Sequence, residues 1–378
     1  MNALRTSACD GAPRTVHLLL VGAGTVGGAL LQQLAEHSGT LLANHELEPV
    51  LVGVCTTSLL AWDDAGLQPG AWRDRAVRRL GGIQEPDLDR LARLPAPILV
   101  DCTAADGMER LHRAALERGI HVVTANKKPL TTPVAVHQDL FRTARSGRLA
   151  YQHETTVGAA LPVIASLRDL IQTGDEVIRI EGSLSGTLGY LCDQLSRGVP
   201  IDEAVRDALE RGYTEPRPQE DLGGTDAARK ALILARHLAL PLEIDQVQVE
   251  PLVPAELLAI EDVDAFLDAL AGVRDALAER VRAVREAGQV LRYLAVVDPS
   301  AEPGQQLRVG PVAVDAEHPA FGLSGSQSMV AFTTGRYRDQ PLVVAGAGAG
   351  GAVTASGVLA DVLRIAEIAG ACRSVSAA

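Results

Sequence analysis

A glycine-rich loop between a strand and a helix constrains the fold of this chain more than any other feature. Residues 16–21 are an apolar run of strand length, and a helical pattern occupies residues 28–37. Between them lies GAGTVG at 22–27, with the spacing GxGxxG. Gly22, Gly24 and Gly27 would allow the tight turn, the approach of a pyrophosphate and close helix packing. The alternative is a glycine-rich turn without a ligand, but a strand before and a helix after the loop favour dinucleotide binding.

The first part of the chain alternates between strand-like and helical patterns. Strands are expected at 49–55, 98–102 and 120–124, with an amphipathic helix at 108–118. This alternation predicts an α/β fold, a Rossmann-type doubly wound parallel sheet with helices on both faces. Ligands of such sheets bind beyond the carboxyl ends of the strands, where Thr103 and Lys127 lie. Position alone fits a solvated loop lysine at 127 equally well.

The end of the second strand bears on which dinucleotide is bound. An acidic residue there would hold the ribose 2′-hydroxyl of NAD. This chain has Cys55-Thr56-Thr57-Ser58 instead, with no adjacent arginine. Small hydroxyl groups tolerate a 2′-phosphate better than a carboxylate would, so the pattern favours NADP or the use of both NADP and NAD. The arginine-rich stretch at 73–79 is expected to be a solvated surface.

The second half predicts a different kind of domain. Strand-like runs at 178–184, 290–297, 307–314 and 329–334 accompany helices, one of them long and amphipathic at 266–287. No glycine-rich phosphate loop occurs among them, which suggests an α+β domain for substrate binding and dimerisation at 153–340.

A third pattern near the C-terminus consists of a strand at 342–345, a glycine-rich loop at 346–351 and a helix at 352–368. It could form a second nucleotide site, but no strand follows to complete a βαβ unit. We expect it to return to the first domain and to close over the cofactor. The dinucleotide-binding domain is therefore predicted at 1–152, completed by 341–378.

The segment GYTEPRPQEDLGGTDAARK at 212–230 concentrates charge around a Gly-Gly turn. It carries Glu215, Asp221, Asp226 and Lys230, and Thr225 is expected to cap the helix that follows. Asp226 and Lys230 are four residues apart and share one face of that helix. An exposed ion pair explains this spacing, and so does a binding or catalytic site; the segment alone leaves both open.

Composition excludes several classes of partner. The net charge is −12, without a block of Lys or Arg, so the chain is a poor binder of nucleic acid or anionic membranes. Five cysteines are scattered without a CxxC pair, which argues against a disulfide framework or a zinc site and suits a reducing cytoplasm. The N-terminal residues show no apolar signal region, and the apolar run at 18–31 is too short to span a bilayer. We therefore expect a soluble cytoplasmic protein.

In combination these motifs resemble the homoserine dehydrogenase family. The resemblance covers residues 16–368 and rests on five stretches: GAGTVG at 22–27, TANKKPL at 124–130, HETTVGAALPVI at 153–164, SGTLGYL at 185–191 and GAGAGGAVTASGVLAD at 346–361. It suggests the short monofunctional form, without an aspartate kinase or regulatory domain. Two departures are Arg217, where the family often has an acid, and Gln327-Ser328, where Asp-Asn is common.

The resemblance implies a reaction. Members of the family interconvert L-aspartate 4-semialdehyde and L-homoserine with NADH or NADPH, on the route to threonine and methionine. It gives the acid–base role to Lys230 with support from Lys127, and it makes Glu215, Asp221 and Asp226, together with Lys230, the residues that face the substrate.

The resemblance also implies ligands and an assembly. Thr25, Val26, Thr103, Lys127 and Gly350 would lie near the cofactor. A monovalent cation, Na⁺, would be held by Glu154 and the backbone carbonyls of Val157, Ala159 and Leu161; otherwise this loop is an ordinary connection. A homodimer through the sheet of the second domain is implied as well.

Two other functions remain open at this point. A phosphorylating semialdehyde dehydrogenase would need a cysteine nucleophile with a histidine base, and Cys102 is its candidate. A non-catalytic NAD(P)-binding sensor would keep the glycine-rich loops, but it would not need Lys230, Glu215 and Asp226.

Overall fold

The computed structural model of the chain describes residues 13–78 and 86–376. The expectations for residues 1–12 and for Arg79 lie outside this range. The strands are β1 Arg14–Val21, β2 Leu47–Cys55, β3 Leu59–Trp62, β4 Val77–Arg78, β5 Pro97–Asp101, β6 His121–Thr124, β7 Tyr151–Gln152, β8 Val177–Ser183, β9 Gln248–Val249, β10 Val290–Val297, β11 Leu307–Val314, β12 Gln327–Thr334 and β13 Leu342–Ala347. The α-helices are α1 Thr25–His45, α2 Leu88–Ala92, α3 Met108–Glu117, α4 Val134–Ser146, α5 Val163–Gln172, α6 Gly186–Ser196, α7 Ile201–Glu210, α8 Pro218–Leu222, α9 Thr225–His237, α10 Ala255–Leu258, α11 Val263–Ala269, α12 Arg274–Glu286 and α13 Gly351–Ser376.

The first sheet has seven strands in the order β4-β3-β2-β1-β5-β6-β7. Strands β2, β1, β5, β6 and β7 are parallel, whereas β3 and β4 extend the β2 edge in antiparallel fashion. Successive residues of β1 face opposite sides. Leu18 and Leu20 pack in the core shared with α1 and α13, while Leu19 and Val21 lie in the core shared with α3 and α4. The predicted doubly wound α/β fold is confirmed.

The second sheet has six strands in the order β13-β12-β8-β10-β11-β9, antiparallel except for the pairing of β11 with β9. Helices α6, α9 and α12 contact its central strand β10. The buried residues of α9 include Ala227, Ala228, Ala231, Leu232 and Ala235, and small side chains of this kind allow a helix to lie close to its neighbours. No described helix combines the length and apolar character that crossing a membrane requires.

Two of the expected strands and helices differ in the structure. The strand expected to open the return to the first domain, β13, pairs with β12 in the second sheet, because the edge of β12 offers it an antiparallel partner. The chain crosses back only after the glycine-rich loop, when α13 packs on α1. The helix expected at 266–287 is two helices, α11 and α12, separated by a 3-10 turn at Leu270–Val273 that contains Gly272.

Candidate active site

A cleft of about 1020 Å³ lies at the carboxyl ends of β1, β2, β5 and β6. It brings together most of the residues that the sequence analysis singled out, although they are far apart in the chain. The lining residues include Gly22, Gly24, Thr25, Val26, Thr103, Lys127, Glu215, Asp226, Lys230 and Gly350. Predicted site residues that do not line it are Gly27, Glu154, Val157, Leu161 and Asp221.

The first glycine-rich loop forms one wall of the cleft. Gly22 has a φ of +90°, a conformation that side chains rarely adopt. Helix α1 then begins at Thr25, so its N-terminus points into the cleft. Gly27 lies beneath the loop, where a Cβ atom would collide with the carbonyl oxygen of Gly22. Its role is to let the helix pack against the turn.

The second glycine-rich loop meets the start of α1, beside the first loop. Gly348–Gly351 line the same cleft, and Gly350 has a φ of +118°. A Cβ atom on Gly351 would overlap Thr25, and one on Gly348 would overlap the side chain of Ser328. Ser328 is buried, so the sequence departure at this position is a small residue that packs against the loop.

A chain of polar contacts fixes the ends of β5 and β6. The Asn126 side chain donates to Thr103 Oγ1 (3.2 Å) and to the Ala105 carbonyl (2.9 Å), and it accepts from the Lys128 amide (3.1 Å). Since Lys127 lies between the residues that carry these bonds, its backbone is held at the cleft. Asn126 was not among the predicted site residues, although it belongs to the TANKKPL motif.

Asp226 joins two lysines at the centre of the site. Its carboxylate lies 2.6 Å from Lys127 Nζ and 2.7 Å from Lys230 Nζ. Lys230 Nζ also donates to the Leu184 carbonyl at 2.7 Å, and its side chain is only 13% exposed. An ammonium group has three N–H donors. With two of them engaged, one remains for a ligand in the cleft.

The environment lowers the pKa values of both Lys230 and Asp226. Burial lowers the pKa of Lys230, and the Lys127 charge lowers it further, while Asp226 opposes the shift. Burial would raise the pKa of Asp226, but the two lysines outweigh it and hold that pKa well below its usual value. The site therefore contains an ionised carboxylate beside a lysine that loses its proton more easily than a solvated one.

Glu215 and Asp221 have different positions. Glu215 is exposed and lines the cleft. Asp221 accepts the Glu215 amide at 2.9 Å, and burial raises its pKa. The side chain of Asp221 therefore holds the backbone of the loop that carries Glu215.

The turn before α9 differs from the predicted cap. Gly224, with a φ of +74°, precedes the first helical residue Thr225, and no side chain caps the helix there. A Cβ atom on Gly224 would overlap the Tyr293 hydroxyl group, so the glycine is required by packing as well. Arg217 is exposed, lies 3.6 Å from Glu220 and does not line the cleft.

The loop expected to hold a cation starts at a buried acid. Glu154 accepts the amides of Ile164 (2.6 Å) and Ala165 (2.9 Å) at the start of α5 and lies 3.5 Å from Arg364. Gly158 and Ala159 then have positive φ values of 81° and 54° and line the cleft. Within the described ranges no cluster of three His, Cys, Asp or Glu residues could hold a metal.

The sequence analysis missed two cleft residues near the end of β2. Trp72 and Arg73 line the cleft beside Thr57 and Ser58, and the Arg73 guanidinium lies 4.7 Å from the Trp72 ring centroid. Arg73 is exposed, as expected of this arginine-rich stretch, but it also lines the cleft. The hairpin β3–β4 folds this segment back over the cleft, a long-range effect that local sequence does not show.

Cys102 also lines the cleft, but its thiol is a poor nucleophile. Burial, and secondarily the charge of Asp101, raise its pKa well above the ordinary value. A thiol in that environment stays protonated, whereas nucleophilic attack requires the thiolate.

Comparison with known proteins gives a consistent result along the chain. The model of the homoserine dehydrogenase NAD-binding domain matches residues 22–154, and the homoserine dehydrogenase model matches residues 162–363. The homoserine dehydrogenase of Emericella nidulans is 37% identical over 372 residues, which cover 93% of this chain and 98% of that protein. A chloroplastic bifunctional aspartokinase/homoserine dehydrogenase of Zea mays is 38% identical, and the match covers 94% of this chain but 39% of the maize protein. The chain thus spans about two-fifths of the length of that relative.

Solved structures agree with the fold. A crystal structure of a Candida auris protein of unknown function has a TM-score of 0.84 and 33% identity, covering 93% of this chain and 98% of that one. A hyperthermophilic archaeal homoserine dehydrogenase in complex with NADPH has a TM-score of 0.68 at 24% identity, covering 93% of this chain and 97% of that one. From the family models and the full-length fungal relative, the chain belongs to the homoserine dehydrogenase family, a family of oxidoreductases.

Proposed function

We propose that the chain catalyses the NAD(P)-dependent interconversion of L-aspartate 4-semialdehyde and L-homoserine. The observation that carries this proposal is the position of Lys230. Its ammonium group is oriented by Asp226 and the Leu184 carbonyl, and it lines the same cleft as both glycine-rich loops. Family membership supplies the substrates.

The cleft fits a dinucleotide. Gly22 and Gly350 adopt positive φ values in its walls, and a Cβ atom on Gly22 would overlap Thr103. The N-terminus of α1 opens into the cleft and would favour the charge of a pyrophosphate. Bound there, the nicotinamide supplies the hydride, and the protein supplies position and electrostatics.

Lys230 would act on the oxygen of the reacting carbon. During reduction, negative charge grows on the aldehyde oxygen, and the remaining N–H donor of Lys230 stabilises it and delivers a proton. In the reverse direction neutral Lys230 accepts the proton of the homoserine hydroxyl group. A lowered lysine pKa helps both directions, because acid–base catalysis is most effective when the pKa is near the working pH.

The first experiment measures homoserine oxidation with NAD⁺ and NADP⁺ in the wild type and in Lys230→Ala. We expect the variant to lose about 10²-fold or more in turnover while it stays folded and still binds the cofactor. Lys128→Ala is a matched control, since Lys128 pairs with the exposed Asp106 and does not line the cleft. A near-normal turnover number in Lys230→Ala would overturn the proposed role.

The substrate α-ammonium group would bind to carboxylates of the cleft. Glu215 is exposed there, and Asp226 offers a second carboxylate, whereas Asp221 acts by positioning the Glu215 loop. This arrangement would select an amino acid from other aldehydes and alcohols.

Arg73 supports a preference for NADP. It lies at the end of the cleft formed by Thr57 and Ser58, where a 2′-phosphate would be placed and where no carboxylate lines the cleft. An arginine in this position pairs favourably with a phosphate. NADPH is also the dinucleotide bound in the archaeal relative described above.

A monovalent cation would hold the loop between β7 and α5. Glu154 and the carbonyls of Val157, Ala159 and Leu161 provide oxygen ligands, and Glu154 Oε1 retains a lone pair beside the Ile164 amide that it accepts. The melting temperature at equal ionic strength should be higher in NaCl than in choline chloride, and Glu154→Gln should abolish the difference. Equal melting temperatures in the wild type would remove the cation from this proposal.

A homodimer formed through the second sheet completes the proposal. Support comes from family resemblance and from the edge strand β13, on which Val343 is 41% exposed. Light scattering coupled to size exclusion should give twice the chain mass of 39.7 kDa. A mass of one chain would contradict the dimer.

A further inference from the structure

A second cavity, of about 810 Å³, lies between α4, β7, α5 and the C-terminal half of α9. It shares no lining residue with the cleft that contains Lys230. Helix α9 connects the two spaces, with Lys230 in its second turn and Ile233, Arg236 and His237 lining the second cavity. A volume of this size is typical of pockets for small organic ligands, roughly 300–1,000 Å³.

The side chains with a permanent charge that line this cavity are all positive. Four arginines line it, and no Asp or Glu is among its lining residues, in a chain with a net charge of −12. Two of these arginines are already engaged: Arg236 donates to the Leu130 and Leu242 carbonyls, and Arg142 pairs with Asp139. The cavity therefore favours an anion.

Of the other two arginines, Arg145 is exposed to solvent, and Arg168 is the more buried cation that remains available. It is partly buried, and its contact is an Nη1 donation to Gln152 Oε1 at 3.2 Å. No carboxylate of the described residues lies within ion-pair distance of it. A guanidinium group has five N–H donors, so its other donors can bind a carboxylate in bidentate fashion.

Aromatic rings form the adjoining wall. His153 and His237 stack with centroids 5.1 Å apart, and Phe141 lies 4.7 Å from the His137 ring. Burial lowers the pKa of His137 to about 3 and that of His237 to about 4, so both rings are uncharged at neutral pH. They present flat, neutral surfaces on which another ring can stack.

A buried polar atom in this wall lacks a partner. His153 is 1% exposed, and its Nε2 atom makes no hydrogen bond to any described residue. Buried side-chain nitrogen atoms are nearly always hydrogen-bonded in folded proteins. His153 itself lines the cavity, but this nitrogen atom is enclosed by protein and does not face it.

We propose that this cavity is a second ligand site, which binds a small aromatic carboxylate. Its carboxylate lies against Arg168, and its ring packs between the imidazole stack and the apolar side chains of Phe141 and Leu240. The site is independent of the reaction proposed for the first cleft.

The test uses 2-naphthoate as the probe and 2-naphthamide as its uncharged counterpart, both titrated calorimetrically into the full chain at saturating NADP⁺. We expect one 2-naphthoate per chain, bound at least tenfold more tightly than the amide. Arg168→Met should weaken 2-naphthoate at least tenfold. Gln138→Glu should do the same, because Gln138 is exposed at the cavity edge and the change adds a negative charge without altering size.

Matched controls are Arg282→Met and Gln305→Glu, which change exposed residues outside the cavity and should leave the affinity unaltered. Three results would overturn the proposal: equal affinity for acid and amide, no binding of 2-naphthoate at saturating NADP⁺, or no effect of Arg168→Met and Gln138→Glu. A changed oligomeric state in Gln138→Glu, without a change in probe affinity, would also overturn it, since a second copy of the chain would then cover the cavity.

Discussion

Asp226 lies between two ammonium groups, and this position controls the charge of Lys230. The carboxylate raises the lysine pKa, whereas burial and Lys127 lower it. In homoserine oxidation Lys230 has to be deprotonated to accept the hydroxyl proton, so turnover should rise with pH through the Lys230 pKa. Because that pKa is lowered, the rise should be complete at a lower pH than the ordinary lysine value of about 10.4 would allow.

The two neighbours of Lys230 should move this profile in opposite directions. Asp226→Asn removes the group that raises the pKa, so the rise in turnover shifts to lower pH. Lys127→Met removes a positive charge that lowers the pKa, so the rise shifts to higher pH. The measurement is the pH dependence of turnover at saturating substrates in the three proteins. Shifts of the same sign in both variants would show that Lys230 is not the titrating group.

Comparing substitutions at Glu215 and Glu220 distinguishes a loss of substrate binding from a general effect of surface charge. Glu215 lines the cleft, while Glu220 is exposed outside it near Arg217. Glu215→Gln should raise the KM for homoserine about tenfold or more with little change in cofactor affinity, as expected when one charged hydrogen bond of roughly 1.5–3 kcal/mol is lost. Glu220→Gln should leave both constants unchanged. An equal loss of substrate and cofactor affinity in Glu215→Gln would place Glu215 elsewhere in the mechanism.

Among the structural elements, helix α1 shows how a turn and a helix depend on one glycine. A Cβ atom on Gly27 would collide with the Gly22 carbonyl oxygen, whereas one on Gly28 would meet only the Ala23 oxygen at an ordinary 3.8 Å. Gly27→Ala should therefore displace the loop, lower the melting temperature and raise the Kd for NADP⁺ about tenfold or more. Gly28→Ala should be neutral or stabilising by about 0.5–1 kcal/mol, since alanine favours the helix.

These neighbouring substitutions are compared by thermal unfolding and by cofactor titration. Similar effects of Gly27→Ala and Gly28→Ala on NADP⁺ affinity would contradict the packing role assigned to Gly27. The motif predicts close helix packing as one task of its glycines, and the structure gives this task to Gly27, which lies beneath the loop, whereas Gly22 and Gly24 line the cleft.

Elements with a strong local pattern were predictable from the sequence. The parallel strands, the first glycine-rich loop and the strands at 290–297 and 307–314 follow from apolar runs and turn residues that act over a few positions. The pairing of β13 was not predictable, because a strand's partner is decided by which sheet edge is free in the folded molecule. The cap at Thr225 failed for a similar reason, since packing of Gly224 against Tyr293 sets the start of α9.

On the scale of the whole molecule, the candidate site is assembled from both sheets. Lys127 follows β6 of the first sheet, whereas Lys230 lies on α9, which packs on the second, and Asp226 joins them. Sequence motifs identified each of these residues, but their mutual distances depend on how the two parts of the chain pack. Arg73 was missed because its place in the cleft depends on the β3–β4 extension of the first sheet, while its local sequence resembles any charged surface.

Substitution of Arg73 tests whether the part of the cleft far from Lys230 selects the cofactor. Arg73 lies at the end of the cleft formed by Thr57 and Ser58, whereas Lys230 enters from the second part of the molecule. If the cofactor's 2′-phosphate pairs with Arg73, Arg73→Gln should lower kcat/KM for NADP⁺ about tenfold or more and leave kcat/KM for NAD⁺ nearly unchanged, since one charge-assisted contact is worth roughly 1.5–3 kcal/mol. Arg75→Gln is the matched control: this arginine is two residues away, 71% exposed and 3.7 Å from Asp63. The measurement is kcat/KM for NADP⁺ and for NAD⁺ in the wild type and in both variants. An equal fall with NADP⁺ and NAD⁺ would mean that Arg73 supports the cleft through its packing on Trp72 and does not select the phosphate.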